Sequence, residues 1–249
     1  DLDEINKNFL SGIVKSKILK SKLKFNFNYS NKKITIYNSY FRNKHLTFKN
    51  KSVINYNPFF DISSVISIEE INSKLLKELN INNILRYKTL IKKINSKNEI
   101  NFKSKKFDGK LIDDLNLVIN MSYGRLNYSK KFLISDNLFQ CQGNVNLLEE
   151  NPILSFKCNI LSKDKKKLLK NFLIKYKKKN EILKLEVNGN LSILGKKINF
   201  KNITMNDNYK ASREDLAYFK DTFEIILFDK DFLSIFNFDK IKKFILEIS

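Results

Sequence analysis

From residue 115 to residue 123 the chain reads Leu115-Asn116-Leu117-Val118-Ile119-Asn120-Met121-Ser122-Tyr123, with an apolar residue at every odd position. A period of two is the mark of a strand that turns one face to a core and the other to water. Leu126 and Tyr128 resume the alternation after Gly124. Downstream, Phe139, Cys141, Val145 and Leu147 are answered across Glu149 to Pro152 by Leu154, Phe156, Cys158 and Ile160, and then by Leu183, Leu185, Val187, Leu191 and Ile193. Upstream, the same rhythm runs through Leu23, Phe25, Phe27 and Tyr29, then Ile34 and Ile36, then Leu46 and Phe48. One apolar and one polar face per strand suits an antiparallel sheet covered on one side, and short connections favour a meander. The fold class expected is mainly β, with enough helix to count as α+β by content.

Helical spacing interrupts this pattern in three places: Ile84, Tyr87, Ile91 and Ile94; Leu161, Leu168, Leu169 and Phe172; and Leu216, Phe219, Phe223 and Ile226. Ser212 with Asp215 three residues on reads as a capping box, which starts a helix there. The organisation expected is a β-rich segment over 1–112 with a helical insertion around 72–95. A second β-sheet region follows over 113–249, with helices near 163–174 and 213–228. A weak repeat of period 46 relates Gly143-Asn144-Val145-Asn146-Leu147-Leu148 to Gly189-Asn190-Leu191-Ser192-Ile193-Leu194.

The inventory of reactive groups argues against an enzyme. His45 is the sole histidine and has no acidic neighbour in sequence. The pairs Glu69-Glu70, Asp113-Asp114 and Glu149-Glu150 flank strands or turns, where adjacent side chains point to opposite faces and do not converge. The glycines are isolated, so no phosphate loop is expected, and no spacing suits a metal or a cofactor. Net charge is +21, from 47 Lys and Arg against 26 Asp and Glu. Such a field draws anionic partners, but the aromatics share the apolar side of the strands and Arg is rare, so nucleic acid is not the expected partner. No stretch approaches ~18 uninterrupted apolar residues, so any membrane anchor is expected outside these 249 residues.

Two cysteines remain. For a hairpin centred near residue 150, partners have numbers summing to about 300, which sets Cys141 and Cys158 opposite or nearly opposite each other on the apolar face. They are either buried thiols packed as small hydrophobes or a cross-strand disulfide, and the disulfide requires an oxidising compartment.

Residues 113–249 resemble the C-terminal region of AsmA-like proteins, the family that includes TamB and YhdP relatives. The resemblance is carried by Leu115 to Asn120, Tyr123-Gly124-Arg125-Leu126, Ser135 to Phe139, Gly143 to Leu147, Pro152 to Phe156, Gly189-Asn190-Leu191, Glu214-Asp215-Leu216 and Lys240 to Phe244. It implies an extended, curved sheet with a hydrophobic groove, in a periplasmic body anchored to the inner membrane by a segment outside this chain. It also implies phospholipid or another membrane lipid as ligand, bacterial membranes and envelope assembly proteins as partners, and a role in lipid transport and outer-membrane biogenesis. The groove candidates on the apolar stripes are Phe25, Phe27, Leu117, Ile119, Phe139, Val145, Phe156, Leu185, Val187 and Leu191. The competing expectation is a scaffold for outer-membrane protein assembly whose apolar face is closed by protein.

Overall fold

A computed structural model describes residues 2–6, 9–72, 85–103, 114–134, 137–177, 180–228 and 237–248. Among the described residues, fourteen strands form one curved, open sheet whose spatial order is the order of the sequence. The first seven are β1 (Leu2–Asn6), β2 (Phe9–Ile18), β3 (Ser21–Ser30), β4 (Lys33–Arg42), β5 (Leu46–Asn55), β6 (Phe60–Ile71) and β7 (Ile94–Lys103). The second seven are β8 (Asp114–Ser122), β9 (Arg125–Ile134), β10 (Asn137–Asn146), β11 (Ile153–Ser162), β12 (Leu183–Ser192), β13 (Lys197–Met205) and β14 (Tyr209–Lys210). From β2 to β12 most strands are ten residues long, which makes a ribbon of nearly constant width, about 33 Å.

Tight turns keep the meander in step. Tyr123 and Gly124 both adopt positive φ, 48° and 87°, between β8 and β9, the two-residue geometry whose twist matches that of the flanking strands. One join departs from the expected meander: β6 and β7 run parallel, and such a pair needs a crossover, here residues 72–93. Within it, 73–84 lie outside the described residues, including Ile84. The described helix is a single turn, α1 (Lys88–Ile91). The helical insertion expected over 72–95 is corrected at its far end, because Ile94 is the first residue of β7 and pairs with Phe60.

Three further helices pack on the sheet: α2 (Lys165–Asn171), α3 (Arg213–Leu227) and α4 (Phe238–Glu247). The capping box at α3 is present, with Asp215 N donating to Ser212 Oγ at 3.1 Å and Ser212 N donating to Asp215 Oδ2 at 2.9 Å. The bond from Ser212 N, with one that Tyr209 Oη donates to the same oxygen at 2.9 Å, favours the ionised carboxylate and holds Asp215 below its usual range.

The four helices among the described residues all serve the apolar face of the C-terminal half. At one end of the strands, Leu168 and Leu169 of α2, Phe172, Ile174 and α4 residues Phe238, Ile241 and Ile245 cover Phe132, Phe139, Ile160 and Met205. At the other end, Leu85 and Ile91 cover Met121, Leu126, Val145 and Leu154. Along the β13 side, Leu216, Phe219 and Phe223 of α3 pack on Phe200 and Ile203. No residue of β2–β6 belongs to any of these clusters of described residues. The chain accordingly exposes 16679 Å², some 5,000 Å² more than the ~11,500 Å² typical of a compact monomer of its mass.

The repeated glycines have a shared place in this packing. Gly143 and Gly189 pair with Phe156 from its two sides. A Cβ on Gly143 would lie 2.6 Å from Tyr128 Cε1 and against the Ser155 carbonyl, and one on Gly189 would lie 3.1 Å from Phe156 Cζ. Gly143→Ala is therefore expected to destabilise the fold by about 1–3 kcal/mol through overpacking, read as a lower midpoint in thermal unfolding.

Candidate binding face

Because side chains alternate, the strand registers align residues into rows across the sheet. One row runs Ile66, Ile100, Leu117, Lys130, Cys141, Cys158, Val187, Ile203. The next runs Ser64, Asn98, Ile119, Tyr128, Gly143, Phe156, Gly189, Phe200. These two rows form the floor of a strip walled by the α2/α4 cluster at one end, the α1 cluster at the other and α3 along β13. Towards β7 and the N-terminal strands, no described helix closes it.

The groove candidates divide accordingly. Leu117 and Ile119 are half-buried and belong to none of the packed clusters, as do Phe25 and Phe27 on β3. Phe156, Val187 and Leu185 are half-buried at the foot of the α3 wall, and Phe139 stacks on Phe132 at 4.7 Å beside α2 and α4. Val145 and Leu191 are corrected: at 6% and 5% exposure they are core beneath the helices and not open surface.

The apolar face is also not one continuous stripe. Across β5 to β7 it carries Asn50, Ser52, Ser64, Ser96 and Asn98, bonded among themselves. Ser64 Oγ donates to Asn98 Oδ1 at 2.6 Å, Asn98 Nδ2 to Ser96 Oγ at 3.0 Å, and Ser52 Oγ to Asn50 Oδ1 at 2.9 Å. Buried hydroxyls and amides are tolerated where they satisfy one another. This band divides an N-terminal apolar field, with Phe25, Phe27, Ile36 and Phe48, from the C-terminal strip.

Lys130 was not legible as a site residue. It lies in the floor between Leu117 and Cys141, half-buried, with Nζ 5.0 Å from the centre of the Phe132 ring. Burial pushes its pKa below 10.5, and burial likewise raises that of Tyr128 two residues away. The opposite face is mostly polar, although Val118, Leu133, Leu138, Ile153 and Leu161 stand on it by register, and a shallow depression of about 570 Å³ is lined chiefly by polar residues, among them Asn127, Gln142, Asn144, Ser155, Lys157, Asn188, Asn190 and Lys201. Carboxylates there are engaged by cations and amides: Lys157 pairs with Glu186 at 3.0 Å, and Asn116 Nδ2 donates to Glu99 Oε1 at 3.2 Å.

Cys141 and Cys158 are direct cross-strand partners and are joined by a disulfide in the floor. Their spacing in the hairpin was the only sequence signal for this bond. Among the described residues no helix is long and apolar enough to cross a membrane. Neither family models, nor curated proteins, nor solved structures yielded a match to the chain.

Replacing both cysteines by Ser is expected to lower stability by about 3 kcal/mol, the loop-closure value for a sequence separation of 17. Intact mass should rise by two hydrogens when the native chain is reduced. For Lys130 the sign follows from its lowered pKa: between the folded value and 10.5 the unfolded chain holds a proton that the folded chain has released, so stability rises with pH through that interval. Lys130→Met should therefore raise the unfolding midpoint at neutral pH, and its advantage should shrink as pH approaches 10.5.

Proposed function

We propose that this chain is a non-catalytic lipid-binding segment, in which the walled strip and the apolar field beside it hold or shield the acyl chains of a membrane phospholipid. The observation that carries this reading is the unclosed apolar face, in a molecule whose exposed area far exceeds that of a compact monomer of equal mass. Contiguous apolar surface beyond a few hundred Å² marks a binding site in a soluble domain. At ~0.8 kcal/mol per buried CH₂, a partly enclosed acyl chain gains enough to compete with a bilayer.

The sheet order supports a passive conduit. A ribbon of consecutive strands at ~4.8 Å spacing runs about 60 Å across its 14 strands, far enough to offer a chain more than one resting place. The disulfide supports an oxidising compartment. Together with the resemblance to AsmA-like proteins, this favours a periplasmic location, a tether to the inner membrane and a role in envelope biogenesis.

The test is native mass spectrometry of the purified chain with extraction of co-purifying lipid. Bound phospholipid is expected, reduced about tenfold by Ile119→Asp, which sets a carboxylate on the open floor, while circular dichroism stays unchanged. A folded, lipid-free chain would transfer the reading to a scaffold whose apolar face is covered by a partner protein.

A further inference from the structure

Lys130 is the one charged residue among the registered positions that face the apolar side from β7 to β13, in a chain with 47 Lys and Arg. Its neighbours in the floor are Leu117, Cys141, Tyr128 and Phe132, and among the described residues no carboxylate pairs with it. Glu99 and Glu186 occupy adjacent register positions one residue out of phase, and so belong to the polar side. Polar residues elsewhere on the apolar face satisfy each other, as Ser64 and Asn98 do. Among the described residues, Lys130 has only the face of Phe132. A half-buried cation without a counter-ion costs stability, and a bound anion would complete it.

Resting on the lipid-binding reading above, we propose that Lys130 receives the phosphodiester of a diacyl phospholipid whose two chains lie along the two floor rows between the polar band and the α3 wall. One ammonium matches the single negative charge of a phosphodiester, and the charge-assisted hydrogen bond between them is strong in a poorly hydrated site. The two rows, one headed by Leu117 and one by Ile119, run side by side about 7 Å apart, which gives each chain its own row. A second copy of the chain is a poorer occupant, because two bodies of charge +21 repel.

The experiment compares wild type, Lys130→Met and Lys130→Arg for binding of phosphatidylglycerol and of diacylglycerol with the same acyl chains. Both lipids are presented in neutral detergent micelles and read by native mass spectrometry. Wild type is expected to prefer phosphatidylglycerol by about tenfold, the scale of one charge-assisted bond. Lys130→Met should bind both lipids equally, and Lys130→Arg should keep the preference. A wild type without preference, or a Lys130→Met variant that retains it through the remaining surface lysines, overturns the proposal while leaving the groove intact. Failure of wild type to bind either lipid overturns the groove reading itself. Thermal melting of each variant establishes that it is folded.

Discussion

The structure depends on phase. A strand repeats every two residues, so a slip of one position would carry every apolar side chain to the wrong side of the sheet. Here that phase is held from β2 to β13 by tight turns and by bulges that insert a residue without breaking the ladder. At the Asn188/Gly189 bulge, β13 shifts register so that Ile203 and Phe200 both stay on the apolar side, opposite Val187 and Gly189. The helices then have a uniform surface to dock on, and the rows that form the floor are a consequence of the same phase.

This explains which elements could be read from sequence. β8, β10, β11 and β12 alternate clearly, with only Gly143 and Gly189 interrupting the apolar series, and the hairpin arithmetic of β10 and β11 placed Cys141 beside Cys158 from numbering alone. β13 shows no clean alternation, because Lys201 sits at the bulge and Ile198 and Phe200 fall out of step with Ile203 and Met205. β6 and β7 were hidden because Ser64, Ser96 and Asn98 stand where the pattern demands apolar residues, although Ile62, Ile66 and Ile100 keep the beat. The helix α4 was masked by its basic run, and its contacts show that Phe238, Ile241 and Ile245 share one half-buried side.

The site was legible in its materials but not in its shape. Sequence alternation identified the apolar face, yet it could not separate residues that helices cover, such as Val145 and Leu191, from those left open, such as Leu117 and Ile119. That distinction is tertiary: it depends on segments far apart in the chain meeting over the ends of the same strands. Lys130 escaped notice for a related reason. Lys130-Lys131 reads as an ordinary polar pair, and only the pairing of Lys130 with Leu117 and Cys141 puts one of the two lysines inside.

An open apolar sheet must also avoid pairing with copies of itself, and here charge and edge design oppose that. At the C-terminal edge, β14 pairs only with Thr204 and Met205, and α3 packs against the rest of β13, where Ile198 N donates to Glu224 Oε1 at 2.8 Å. At the other, the part of β2 beyond its pairing with β1 carries Lys15 and Lys17, and lysines at an edge blunt strand addition. The polar face spreads the rest of the positive charge, with Lys22, Lys24, Lys97 and Lys131 among its carriers. Charge on the polar face and at the edges thus opposes the association of like molecules through their apolar sides.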